Sequence, residues 1–131
     1  RTDEYGGSLE RRMRFPLEVF NAVRAVWPDE KPISARISAT DWVGATGVTG
    51  EEAVEIARML KDRGCDIVDV SAGQTTPDAK PIYGRMFQVP FADRVRNEID
   101  LPTLVAGNIY EPDRTGPVTS VNWTEPDRSD L

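Results

Sequence analysis

Histidine is absent, and cysteine occurs once, at Cys65. The first absence removes the usual imidazole general base and most metal sites, so no metal centre is expected; the second excludes an internal disulfide. Any proton transfer has to run through a carboxylate, a tyrosine, the one thiol or solvent. No apolar run approaches the length that spans a bilayer, and the opening Arg1-Thr2-Asp3-Glu4 lacks the apolar core of a signal peptide. Positive charge is also short: 16 Lys and Arg against 22 Asp and Glu give a net charge of -6, with no basic stripe to track a nucleic-acid backbone. The expectations are a reducing cytoplasmic setting, no nucleic-acid partner and no membrane. With 131 residues there is room for one domain with a modest core. Arg1 stands where a methionine would normally open a chain, as expected of an excerpt or a processed piece.

What is present is clearest at Pro32-Ile33-Ser34-Ala35-Arg36-Ile37-Ser38-Ala39-Thr40-Asp41. Ile33, Ala35 and Ile37 alternate with Ser34, Arg36 and Ser38, a period of two that predicts a strand over 32–38 with one apolar and one small, polar face. Arg36 is the single charge on the polar face. A guanidinium there is costly unless it meets an anion or a ring of acceptors, so it reads either as half of a salt bridge or as a ligand contact.

Ahead of that strand, Gly6-Gly7 signals a turn and Ser8 is placed to cap a helix, although Arg11 three residues later leaves the reciprocal capping box incomplete. Phe15, Val19, Val23 and Val26, with Phe20 and Trp27 alongside, predict the buried stripe of that helix, which should stop before Pro28-Asp29. Pro16 predicts a division between a preliminary turn and the main helix. Arg11, Arg12 and Arg14 read as a solvated cluster paired with Asp3, Glu4 and Glu10.

Beyond the strand, 41–48 is a loop with two glycines in which Trp42 serves as a plug or as a substrate wall. Thr49 and Glu52 form a capping box for a second helix; Ala53, Ile56, Ala57 and Leu60 face inward, Arg58, Lys61 and Arg63 load the C-terminal end, and Gly64 ends it. Residues 65–70 predict a second strand, apolar enough for a parallel strand covered on both faces. It runs into Ser71-Ala72-Gly73-Gln74-Thr75-Thr76, small residues that either turn the chain or let it approach a ligand closely. An irregular segment over 77–88 carries Tyr83-Gly84-Arg85. Phe91, Val95 and Ile99 then mark a third helix with Pro90 in its first turn, and 101–106 predict a third strand ending at Gly107-Asn108.

Three strands thus recur at about 35 residues, each reached through a helix and each ending in a Gly- or Ser-bearing loop. This is the rhythm of an α/β barrel or a doubly wound sheet, and a closed (β/α)8 barrel takes about 250 residues, so the chain supplies at most about half of one. After Asp113 the rhythm stops. Residues 114–131 carry no apolar stripe and read as an irregular tail; Glu125-Pro126-Asp127-Arg128 there echoes Glu111-Pro112-Asp113-Arg114, and Asn122-Trp123-Thr124 has the form of a glycosylation acceptor.

Arg1-Thr2-Asp3-Glu4-Tyr5-Gly6-Gly7-Ser8-Leu9-Glu10-Arg11-Arg12-Met13-Arg14-Phe15 resembles the signature of the old yellow enzyme family of FMN-dependent NAD(P)H oxidoreductases, which usually has asparagine where this chain has Arg11. Ile37-Ser38-Ala39-Thr40-Asp41-Trp42, Asp69-Val70-Ser71-Ala72-Gly73-Gln74 and Tyr83-Gly84-Arg85-Met86-Phe87-Gln88 are similar, within that family, to the oxidoreductase part of bifunctional salicylyl-CoA hydroxylases and their stand-alone relatives. The resemblance covers 1–113. It implies a partial TIM barrel, roughly strands 5 to 7 with their helices, and an FMN-binding domain over 1–113 followed by the tail.

By the same resemblance Arg36 faces the pyrimidine edge of the flavin, Ser71, Ala72 and Gly73 lie beside its ribityl-phosphate side, and Gly107 with Asn108 offers backbone N–H to the phosphate. Trp42, Tyr83 and Arg85 are the substrate-side candidates. The resemblance also implies a residue contacting flavin N5, a substrate-holding His/His or His/Asn pair and a proton-donating tyrosine, which have no counterparts here, so no residue is assigned to catalysis. The implied activity of the parent is hydride transfer from NADH or NADPH through FMN to an activated alkene, an enone or an enoyl-CoA thioester; the chain alone is expected to be inactive. A non-catalytic scaffold, or a subunit that completes a barrel with a partner, is the alternative. Exposed sheet edges are expected to promote self-association.

Overall fold

The computed structural model describes residues 1–109. The boundary expected at 113 and the tail over 114–131, with its repeated tetrapeptide and its Asn122-Trp123-Thr124, lie outside the described residues. Three parallel strands, β1 (Ser34–Ser38), β2 (Ile67–Ser71) and β3 (Thr103–Val105), pair in the order β1-β2-β3. β1 and β3 are shorter than expected and β2 runs one residue further, to Ser71; at their starts Asp66 N donates to Ile33 O and Val68 N to Pro102 O, both at 3.0 Å. The helices are α1 (Leu9–Arg24), which precedes β1, α2 (Gly50–Lys61), which joins β1 to β2, and α3 (Val89–Ile99), which joins β2 to β3.

Period-two alternation divides the sheet into two faces. Ala35, Ile37, Val68, Val70 and Val105 belong to the hydrophobic core with the inner sides of the helices; Val68, Val70 and Val95 are the largest fully buried side chains, each worth about 1.5–3 kcal/mol of burial. The other face carries Arg36, Asp69 and Leu104 in one register row, and Leu104 is exposed. β2 was expected to be covered on both faces. Within β2 only Val68 and Val70 are buried, whereas Ile67, Asp69 and Ser71 stay half-exposed, because the helices pack on one side of the sheet.

α1 departs from its predicted stripe. Met13, Leu17 and Phe20 are the buried residues, while Phe15, Val19, Val23, Val26 and Trp27 are exposed, Val26 at 83%. The helix carries two apolar stripes, and contact with α2 selects one of them. Arg12 helps fix that rotation: it leaves the expected cluster around Asp3 and Glu4 and bonds Glu52 of α2 with both terminal nitrogens, while its Nε donates to Gly7 O at 3.1 Å. Arg14 keeps the expected partner, Glu4, at 3.1 Å. Pro16 does not divide the helix, which runs unbroken from Leu9 to Arg24 with the proline ring on its exposed side. As expected, the helix stops before Pro28: it ends at Arg24, whose Nη2 donates to Trp27 O and Pro28 O at 3.0 and 2.9 Å.

The caps follow the sequence more closely. Ser8 accepts from Arg11 N, and Thr49 from Glu52 N. The carboxylate of Glu52, expected to reach back to its own cap, turns instead to Arg12. Gly64 adopts φ +85°, and Cys65 N bonds Leu60 O, the closure of a Schellman motif. Lys61 donates to Ile99 O and Asp100 O at 2.5 and 2.8 Å, tying the C-terminal ends of α2 and α3 together.

Candidate functional site

In a parallel sheet, every strand delivers its C-terminal end to the same rim, and the loops gathered there are where α/β folds build their sites. Here the rim comprises the segment after Ser38, the Ser71-Ala72-Gly73 turn and Gly107-Asn108. Arg36 and Asp69 lie just below it on the open face.

The register pairs Arg36 with Asp69 and Ser38 with Ser71. From this follow the two contacts of the guanidinium: Nη1 donates to Asp69 Oδ2 at 3.2 Å and Nη2 to Ser71 Oγ at 3.2 Å. The Arg36 side chain is nevertheless 69% exposed, and Asp69 28%. Both readings of the strand arginine therefore stay compatible: β2 anchors it, and three of its five N–H donors remain for a ligand.

The rim loops are stitched together by backbone bonds. Ala39 N donates to Ser71 O, Gly73 N to Thr40 O and Lys80 N to Trp42 O, at 2.8, 2.8 and 3.1 Å. Asp41 accepts from Val48 N at 2.8 Å with one oxygen and from the Thr75 hydroxyl at 2.6 Å with the other, closing its own loop and joining it to the next. Trp42 adopts φ +57° and turns its indole into this cluster, edge-on to Phe91 of α3 with ring centroids 6.0 Å apart. Its buried Nε1 has no hydrogen-bond partner. Gly73, at φ +80°, leaves room for that ring, since a Cβ there would sit 2.8 Å from Trp42 Cδ1.

A second group forms around β3. Gly107 has φ +106°, and a Cβ would meet Phe87 at 2.8 Å and Gln88 at 3.2 Å. Asn108 donates from Nδ2 to Gly84 O at 3.2 Å and accepts from Met86 N at 3.3 Å. Tyr83, exposed, meets Phe87 edge-on at 5.3 Å. Arg85 is exposed on the same loop, and Ala72 is buried.

The predicted residues thus fall into two neighbouring sets, Arg36 with Ser71 and Trp42 with Gly73 on one side, Gly107 and Asn108 with the 83–88 loop on the other. Sequence reasoning had not placed Asp69, Asp41 or Thr75 in a site, and had read Phe91 only as a marker of the third helix. A signal for Asp69 was available, since it shares the parity of Ser71, but its partner depends on the register between strands. Among the described residues no group of His, Cys, Asp and Glu could hold a metal ion, and no helix is long and apolar enough to cross a membrane.

Residues 1–122 match the NADH:flavin oxidoreductase / NADH oxidase family. The chain belongs to that family. Among its relatives, an NADPH dehydrogenase of Clostridium acetobutylicum is 46% identical over 111 residues, 85% of this chain and 32% of the relative. An NADH oxidase of Thermoanaerobacter brockii is 38% identical over 117 residues, 86% of this chain and 18% of the relative. Similar solved structures include a 2-naphthoyl-CoA reductase bound to 2-naphthoyl-CoA (TM-score 0.72, 32% identity, 86% of this chain, 18% of that one). Morphinone reductase with tetrahydroNAD superposes at TM-score 0.57 and 29% identity, covering 87% of this chain and 28% of the other. The chain spans 32% or less of the length of these four proteins. The old yellow enzyme resemblance is borne out, and the three parallel strands with their helices are part of a TIM barrel.

Proposed function

We propose that this oxidoreductase-family chain forms one wall of an FMN site, and that the parent protein uses the flavin to pass hydride from NADH or NADPH to an activated alkene. The observation that carries the reading is Arg36: an anchored guanidinium on the open face of a parallel sheet, immediately below the strand-end loops, with donors to spare. The donor set suits a flavin. A fixed positive charge favours electron density arriving at the pyrimidine edge, and donors already held in place do this without rearranging.

Ser71, Ala72 and Gly73 let the turn after β2 pass close beside the cofactor. The N–H of Gly73 is already used by Thr40 O, so the contribution of Gly73 is its shape and positive φ. Gly107 and Asn108 hold the β3 end in a turn suited to a phosphate, and Asn108 keeps its side chain on Gly84, which fixes the 83–88 loop against that end. When bound, FMN supplies the hydride relay. This chain's residues bind and orient it, and no proton donor is assigned among the described ones.

Trp42, Tyr83 and Arg85 line the side from which substrate approaches, Trp42 as the support beneath Gly73 and Tyr83 with Ile82 as exposed apolar surface. An enone or an enoyl-CoA thioester is the substrate class proposed. The bound thioester of the 2-naphthoyl-CoA reductase supports the second form. The domain over 1–113 is proposed as the FMN-binding part, inactive by itself because the residues that hold and protonate the alkene are not among its own.

Titration of the chain with FMN, followed by flavin fluorescence, tests the reading. Saturable binding is expected, weakened about tenfold or more in Arg36→Ala because a charge-assisted contact is lost, with NADPH oxidation no faster than with free FMN. Equal affinity in the variant, or no saturable binding, would overturn the assignment.

A further inference from the structure

Arg36 is only half of what the open face presents. Among the strand residues on that face, Ser34, Arg36, Ser38, Ile67, Asp69, Ser71 and Leu104, the two charges are Arg36 and Asp69, and they are direct neighbours in register. Asp69 sits in the middle strand, where a carboxylate is costly without a partner, and its Oδ2 receives Nη1 at 3.2 Å. Ser71, two residues on, takes Nη2 at 3.2 Å. β2 thus holds both terminal nitrogens of a side chain that β1 contributes, and the carboxylate cancels part of its field.

We propose that Asp69 is a positioning residue for the flavin site: it ties down Arg36 and offsets part of its charge, so that the pair, and not the arginine alone, sets how strongly reduced FMN is favoured over oxidised FMN. The inference rests on the reading that Arg36 faces the flavin. Two electrons added to a flavin leave a more electron-rich pyrimidine edge, which a bare guanidinium stabilises more than one paired with a carboxylate does. Asp69 accordingly restrains the preference for the reduced cofactor.

The test is the ratio of affinities for reduced and oxidised FMN, obtained by anaerobic titration of the chain with FMN before and after dithionite reduction. Asp69→Asn is expected to raise the ratio about tenfold, about 30 mV for a two-electron couple. In an Arg36→Ala background the rise should shrink to what the carboxylate's own field at the flavin accounts for, the lost part being what acts through Arg36. Asp69→Glu keeps the charge and is expected to leave the ratio close to that of the parent chain, a check that survives if the asparagine variant folds poorly. A lone structural role for Asp69 would weaken both affinities equally and leave the ratio unmoved. An unchanged or lowered ratio in Asp69→Asn, with Arg36→Ala still lowering it, overturns the role of Asp69 and leaves the Arg36 assignment standing. Ratios untouched by either variant overturn both.

Discussion

At the level of single residues, the site depends on side chains that are small for a reason and charged for a reason. Gly73 combines φ +80° with a Cβ position 2.8 Å from the Trp42 ring, so Gly73→Ala meets backbone strain and a clash together. A loss of about 1–3 kcal/mol is expected in urea unfolding. Gly84→Ala, where nothing lies within 4 Å of the added carbon, should stay within about 0.5 kcal/mol. Equal effects of the two would show that the Trp42 contact does not constrain the turn. Cys65 is legible as a packing residue: it is buried, its Sγ lies 3.2 Å from Ile67 O, and burial pushes its thiol up from the ordinary value, away from reactivity. Arg36 was conspicuous in sequence as an unexplained charge within an alternating stretch. Asp69 was not, because an aspartate in an apolar run gives no sign of which strand will lie beside it.

At the level of elements, caps and strand alternation were readable from short-range chemistry, since Ser8, Thr49 and Gly64 act on backbone groups only a few residues away. The buried side of α1 was not. Two apolar stripes share the helix, and helical periodicity gives each the same standing; only the position of α2, with Glu52 aimed at Arg12, separates them. Truncation distinguishes the two stripes. Leu17→Ala, at a 7% exposed position, is expected to cost about 2–4 kcal/mol by denaturant unfolding, whereas Val19→Ala, 48% exposed, should cost less than about 1 kcal/mol. The reverse order would restore the stripe that periodicity alone suggested. Pro16 teaches the same point in the other direction: a local helix breaker is tolerated inside α1, on its exposed side.

At the level of the whole molecule, the sheet has helices on one face, an open face bearing Arg36, Asp69 and Leu104, and outer edges on β1 and β3 that pair with no strand among the described residues. Such edges are templates for further strands, and the exposed Phe15 and Val19 on α1, with Val26 just beyond it, add apolar surface. The isolated chain is therefore expected to self-associate, with a weight-average mass by sedimentation that rises with concentration; a concentration-independent monomer would show that the edges are protected. The sequence by itself determined the strand-helix rhythm, the family signature from Arg1 to Phe15 and the oddity of Arg36, because periodicity, caps and motifs are written over a few residues. Tertiary structure alone decided that Asp69 and Ser71 hold Arg36, that Trp42 packs beneath Gly73 and that Met13, Leu17 and Phe20 face inward. Those outcomes depend on strand register and helix docking, which are settled by residues more than thirty positions apart in the chain.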